Sequence, residues 1–206
     1  SDKWKELLAL AHSDKAQVFE DYTNYYLSTN GQLYWTDTHQ LGYYDENYEE
    51  YLKKTLPDYK TGSLMISEVY VPRQRIYDFM TALSLSNEKQ QLEIIYGTIR
   101  LIETDTETFL PWAKQDYACI VLNLRVEHSL LGLEKARSDF QLLIDAALNF
   151  GGSYFLTYHR WARKDQLLEA YPQFPMFLEL KLKYDPQEIF QSDWYRFYKK
   201  MFNNNE

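Results

Sequence analysis

Glu68, Arg100, Cys119, Asn123 and Tyr158 carry the side chains for acid–base and binding chemistry, and each lies in a stretch that reads as a β-strand. In a strand, successive side chains point to opposite faces. In Tyr117 to Val126 that rule puts Ala118, Ile120, Leu122, Leu124 and Val126 on one side, a continuous core face, and Tyr117, Cys119, Val121, Asn123 and Arg125 on the other. Glu68 and Tyr70 alternate with Ser67, Val69 and Val71, while Tyr96, Thr98 and Arg100 alternate with Ile95, Gly97, Ile99 and Leu101. Tyr154, Leu156 and Tyr158 are expected to share a face of a last strand. A carboxylate, a guanidinium, an amide and a phenol converging from different strands could hold a hydroxylated small molecule. The same set would also make an ordinary solvated sheet face with an ion pair.

Other polar residues extend the candidate set. His159 follows Tyr158 directly; imidazole titrates near neutrality, so it is a candidate general base as well as a candidate structural histidine at a strand end. Trp35 and His39 lie in the run Trp35-Thr36-Asp37-Thr38-His39-Gln40, which reads as a loop, where binding residues concentrate. His12 and His128 have no partner pattern. With four scattered histidines and one cysteine, a metal site is not expected. No P-loop, G-x-G-x-x-G or Ser/His/Asp nucleophile pattern occurs, and seven glycines leave little for a phosphate-cradling loop.

The elements that would position these residues read as an α+β protein. Residues 3 to 30 have apolar positions at helical spacing, Asn30-Gly31 marks a turn, and Asp45 to Leu56 reads as a polar helix. Gln32 to Trp35 is expected as a short strand and 57 to 63 as a linker. Beyond it the pattern is strand (Ser63 to Val71), helix (Arg73 to Ser84), strand (Leu92 to Ile102), strand (Tyr117 to Val126), helix (Leu130 to Phe150) and strand (Ser153 to Tyr158). Gly151-Gly152 is the stop of the long helix. This β-α-β-β-α-β order predicts a ferredoxin-like antiparallel sheet with helices on one face and the other face free. The expected division is a helical portion over 1 to 62 and a ferredoxin-like domain with C-terminal helices over 63 to 206.

Composition bounds the function. A chain of 206 residues with 45% hydrophobic residues can bury a real core, and 17% aromatic content, including 19 tyrosines, suits a partly wet cleft. A net charge of −8 argues against a nucleic-acid partner. The single Cys119 excludes an intrachain disulfide, which points to a reducing, cytoplasmic location. No apolar stretch approaches the ~20 residues of a transmembrane helix. The chain opens inside a helical pattern (Trp4, Leu7, Leu8, Ala11), so it is expected to begin within a longer protein.

Three segments, in order, resemble one family. They are Ile66-Ser67-Glu68-Val69-Tyr70-Val71-Pro72, Thr98-Ile99-Arg100, and Gly151-Gly152 through Tyr158 with Tyr171-Pro172, Asp185-Pro186 and Phe190-Gln191-Ser192-Asp193. Over residues 63 to 202 the chain is similar to the C-terminal substrate domain of the FAD-linked oxidoreductases that include the sugar-lactone oxidases and the decaprenylphosphoryl-ribose oxidase. The resemblance implies hydride transfer between a small hydroxylated substrate (sugar, lactone or related alcohol) and a flavin. It implies an FAD held mainly by an upstream domain of the same protein, without which this chain is expected to be inactive. It makes Tyr158, Arg100 and His159 the catalytic candidates, with Arg100 and Tyr158 facing the flavin and Glu68, Asn123, Cys119, His39 and Trp35 binding substrate. Where the family carries a lysine at the end of the last strand, this sequence has Tyr158. Two other readings stay open: a flavin-dependent alkene reductase of the sterol-reductase kind, and a stand-alone ferredoxin-like ligand-binding or protein-interaction module.

Overall fold

The computed structural model describes residues 2–33, 48–56 and 58–203. Trp35 and His39 therefore lie outside the described residues. The chain divides into two compact units: Ser1–Met65 with Glu93–Tyr96 and Asn123–Leu133, and Ile66–Leu92 with Gly97–Leu122 and Glu134–Glu206.

The first unit begins with two short helices, α1 (Asp2–Leu10) and α2 (Lys15–Ser28). Asp14 separates them and caps the second, its carboxylate accepting from the Gln17 amide at 2.9 Å. A third helix, α3 (Tyr48–Thr55), places acidic residues in its first turn and lysines in its last, matching the helix dipole. Leu8, Ala11, Tyr48, Leu52 and Ile95 are buried together and form this unit's core.

One sheet runs through the chain. Its strands are β1 (Gly62–Pro72), β2 (Ile94–Ile102), β3 (Tyr117–Glu127) and the short β4 (Ser153–Tyr154), in the spatial order β2-β3-β1-β4. β1 and β2 are joined through α4 (Ile76–Gln90), and β3 and β4 through α5 (Leu130–Asn149). Each βαβ pair leaves a one-strand gap that a strand of the other pair fills, which is the split βαβ arrangement. The fold is α+β, with an antiparallel sheet, as the sequence pattern requires. Three helices complete the second unit: α6 (Lys164–Ala170), α7 (Phe174–Tyr184) and α8 (Asp193–Asn203).

Two details position the candidate site. Gly151 takes φ +73 as α5 ends, and the Gly152 amide returns to the Ala147 carbonyl at 2.9 Å. A Cβ on Gly152 would stand 1.9 Å from the Tyr70 carbonyl oxygen, so only glycine lets the chain pass this close to β1. β4 then pairs antiparallel with β1, Val69 opposite Tyr154 and Tyr70 opposite Ser153.

The last strand is shorter than expected. Ser153 to Tyr158 reads as one strand, but pairing stops at Tyr154 and the chain turns at Leu156–Thr157. Residues directly opposite share a face, so Tyr154 belongs with Val69 and not with the Glu68 face. Phe155, whose amide donates to the Glu68 carbonyl at 2.9 Å, is the residue on the Glu68 face. Tyr154, Leu156 and Tyr158 do not share a strand face.

The face expected to be free is largely covered. Tyr70, Tyr117, Cys119 and Val121 are buried there with Ala113, and Ile102 and Phe155 pack against them. The cover is the 103–116 connection, tied down at both ends. Arg73 donates to the Ile102 carbonyl at 2.8 Å and to Glu103 at 2.7 Å, and Asp116 accepts from the Thr104 amide at 3.0 Å. Within it the Asp105 amide bonds the Ala113 carbonyl at 2.8 Å. Among the described residues, no helix is long and apolar enough to cross a membrane.

Candidate functional site

Glu68 is the centre of the arrangement. Its side chain comes from the middle of β1, and only 6% of the residue is exposed. The Tyr70 hydroxyl donates to its Oε1 at 2.6 Å, and the carboxylate charge acts on the Tyr158 phenol and the Cys119 thiol. A buried carboxylate needs such donors, since an unpaired one costs several kcal/mol. The three neighbours show the effect of the setting. Burial, and after it Glu68, pushes the Cys119 thiol up to about 12. The Tyr70 phenol is raised by burial and then by its hydrogen bond to Glu68, and the Tyr158 phenol is raised by burial and then by the Glu68 charge. Each group is thereby kept as a donor near neutral pH.

An aromatic wall surrounds the carboxylate. Tyr70 stacks on Tyr117 with centroids 6.1 Å apart and meets Trp112 edge-on at 5.8 Å. Trp112 meets Phe155 at 6.4 Å, and Phe155 meets Tyr158 at 4.8 Å. Tyr70 and Tyr117 are buried, whereas Trp112 and Tyr158 are 39% and 43% exposed. The cluster is therefore closed at the sheet and open at the edge formed by Trp112 and Tyr158.

Arg100 completes it. Ile102 packs in the Tyr70–Cys119 cluster, so alternation along β2 places Arg100 and Thr98 on the same side. Arg100 is exposed, and its charge reaches both Tyr158 and Cys119. Among the described residues no carboxylate pairs with it, in contrast to Arg73, Arg75, Arg125, Arg163 and Arg196.

The delivery of Tyr158 depends on distant residues. The Trp194 indole of α8 donates to the Leu156 carbonyl at 2.8 Å, and the Tyr171 hydroxyl donates to the Tyr154 carbonyl. These contacts hold the turn that returns Tyr158 to the Glu68 side. The expected convergence of Tyr158 with Glu68 is present, but a turn and not strand alternation produces it.

Glu68, Arg100, Cys119 and Tyr158 are thus brought together. His159 is not. Its ring lies edge-on to Phe140 of α5 at 4.3 Å and stacks on Trp161 at 5.8 Å. It is 7% exposed, its Nδ1 has no hydrogen-bond partner among the described residues, and burial lowers its pKa to about 4. Held neutral against α5, it faces away from Glu68 and is a packing residue. Asn123 is buried four residues beyond Cys119 along β3 and belongs to the first unit. Sequence reasoning gave no role to Trp112 and Phe155. Trp112 reaches the site through a long connection with no periodic pattern, and Phe155 was masked by the assumed length of the last strand.

A second polar cluster lies within the first unit. Arg125, with 8% of its side chain exposed, bonds Glu49 at 2.8 Å and the Lys60 carbonyl at 2.6 Å, and its guanidinium lies 5.4 Å from the Tyr59 ring centroid. Burial raises the Glu49 carboxyl, but hydrogen bonds from Arg125 and Tyr59 outweigh it and hold the group below its usual range. Nearby, His12 bonds the Tyr48 hydroxyl at 2.8 Å, and burial with the Arg125 charge lowers it to about 4.

Among the described residues, no group of three or more His, Cys, Asp or Glu side chains is placed to hold a metal ion. No family model matches the chain and no curated protein matches it.

Proposed function

We propose that the cluster of Glu68, Tyr70, Cys119, Tyr158 and Arg100 is the substrate-binding floor of a flavin-linked oxidoreductase acting on a small hydroxylated molecule. One observation carries the reading: a buried carboxylate that accepts from the Tyr70 hydroxyl lies near a half-exposed phenol and an exposed guanidinium with no carboxylate partner among the described residues. The half-exposed Tyr158 hydroxyl can exchange a hydrogen bond with a substrate hydroxyl. Tyr70 holds the Glu68 carboxylate in place, and its charge acts on the Tyr158 phenol, so Glu68 serves as a positioning residue.

The residues present fit one part of a flavin. Arg100 and Tyr158 offer a cation and a phenol next to the exposed face of Trp112, which suits the polar edge and flat face of an isoalloxazine ring. The pyrophosphate of FAD has no such partner among the described residues, where the positive-φ glycines, Gly31 and Gly151, stand at helix ends and not in a phosphate-cradling loop. The proposal therefore has FAD held mainly by other residues. Bound flavin supplies the hydride-accepting or hydride-donating chemistry; this chain contributes the floor, a phenol and a charge.

Titration with riboflavin, which has the ring system but no pyrophosphate, tests the reading by site-resolved NMR. The expected result is movement of the Thr98, Arg100, Cys119 and Tyr158 amides and of the Trp112 indole. If these signals stay still, or only signals of the first unit move, the flavin-floor reading fails.

A further inference from the structure

We infer that the 103–116 connection is a lid over the Glu68 side of the sheet and that Arg73 is the clasp that holds it shut. The inference rests on the site reading above for what the lid guards, though not for the lid itself. The connection runs from the end of β2 to the start of β3 and contains no helix or strand. A connection of more than about 12 residues without secondary structure is uncommon in a compact domain, and active-site covers are among the usual exceptions. Of its residues only Ala113 is buried. Ala113 lies with Tyr70, Tyr117, Cys119 and Val121, and Trp112 meets Tyr70 edge-on beside it. One alanine and one half-exposed indole are little apolar contact for so long a segment. A segment with few buried contacts opens at a free energy well below that of global unfolding.

The polar ties converge on one side chain. The Arg73 guanidinium, just after β1, donates to the carbonyl of Ile102, the last residue of β2, at 2.8 Å, and to that of Tyr117, the first residue of β3, at 3.5 Å. It also pairs with Glu103 at 2.7 Å, and Asp116 lies 3.9 Å away. Arg73 therefore holds both stems of the connection together. The rest is held more lightly: Gln173 donates to the Phe109 carbonyl at 3.1 Å and Lys114 to the Glu169 carbonyl at 3.5 Å. The Glu103 side chain is 80% exposed, so its pair with Arg73 is screened and weak by itself. Ties of this kind suit a segment that opens while the sheet stays folded. Opening uncovers Cys119 and Glu68, which are otherwise buried.

Cys119 is the only cysteine in the chain and is buried beside Ala113, so its reactivity reports on the lid. The experiment is labelling of the native protein by excess iodoacetamide, with the rate followed by mass spectrometry as urea is raised. At low urea the rate is expected to be nearly independent of urea, the mark of a local opening, and to rise steeply only as the whole chain unfolds. Arg73→Gln should speed the low-urea rate about ten-fold, and Glu103→Gln, which leaves the carbonyl contacts, about three-fold. Arg75→Gln, whose partner Asp78 lies on α4, should leave it unchanged. The inference is overturned if labelling carries the urea dependence of global unfolding at every concentration, or if Arg73→Gln and Arg75→Gln speed it alike. If Arg73→Gln does not fold, Glu103→Gln decides, and an unchanged rate in it overturns the clasp. Labelling by local opening with unmoved riboflavin signals would reject the flavin floor and leave the lid; riboflavin shifts with labelling only by global unfolding would reject the lid alone.

Discussion

Each unit of the molecule contains a carboxylate ringed by phenols with an arginine near it, and the two clusters differ in one respect. In the first unit Arg125 is buried and every part of it is used, by Glu49, by the Lys60 carbonyl and by the Tyr59 ring. In the second the carboxylate is the buried member, the arginine is exposed with no carboxylate partner among the described residues, and a half-exposed phenol stands nearby. A network with all its partners inside the protein stabilises a fold and has nothing left to offer a ligand. A network with one acceptor and one cation turned outward can do both. The contrast distinguishes the two clusters more clearly than residue type does, since both contain Glu, Arg and Tyr.

The largest expected effect tests what the second cluster is built on. Gly152→Ala forces a Cβ into the Tyr70 carbonyl and should cost about 4 kcal/mol in urea unfolding, because backbone on both sides leaves no room to relax. A small loss would mean that the close approach of β1 and β4 is not what sets the site. Next comes the first cluster. Arg125→Met should lose about 2 to 3 kcal/mol of stability while leaving riboflavin binding unchanged, since it strands Glu49 and breaks the Lys60 contact. A drop in binding equal to the drop in stability would erase the distinction between the clusters.

The histidines give a matched pair, one per unit. Both His12 and His159 are lowered from 6.5 to about 4 by burial. Below pH 6.5 the unfolded chain takes up protons that the folded chain refuses, so stability contributed above that pH is lost as the pH falls toward 4. Each group can contribute a slope of at most about 1.4 kcal/mol per pH unit. His159→Phe and His12→Gln should each flatten the acid side of the stability profile by a similar amount. Retention of the full slope in His159→Phe would contradict its assignment as a neutral packing residue.

The smallest expected stability effect belongs to Tyr158. Tyr158→Phe removes a half-exposed hydroxyl and should change stability by no more than about 0.5 kcal/mol. A loss of several times that would make the Tyr158–Glu68 contact part of the structural scaffold.

Much of this contrast was visible in the sequence, where local pattern governs. Period-two alternation in β1 and β3 placed Glu68 and Cys119 together, the apolar spacing of α5 and its Gly-Gly stop gave the helix and its end, and strand–helix alternation gave the split sheet. The part that was not visible depends on contacts far apart in the chain. Phe155 to Tyr158 has the composition of a strand, but Trp194, 38 residues beyond Leu156, holds it as a turn. That one contact shifts the phase of everything after Tyr154. It turns Tyr158 toward the Glu68 side and sends His159 to Phe140, so period-two alternation does not account for where Tyr158 lies, and His159, a candidate base by its chemistry, is a neutral packing residue. The covering of the sheet face by 103–116 was equally hidden, because its anchors, Arg73 to Ile102 and Asp116 to Thr104, follow no repeat.

The two clusters can be compared directly by deleting one hydroxyl from each. The riboflavin dissociation constant of Tyr158→Phe and of Tyr59→Phe, each measured against the unaltered protein, is the closest test of whether the Glu68 cluster is the open one. The account predicts about a ten-fold weakening in Tyr158→Phe and none in Tyr59→Phe, one lost hydrogen bond at the site against none. Equal effects in both variants, or an effect in Tyr59→Phe alone, would contradict it.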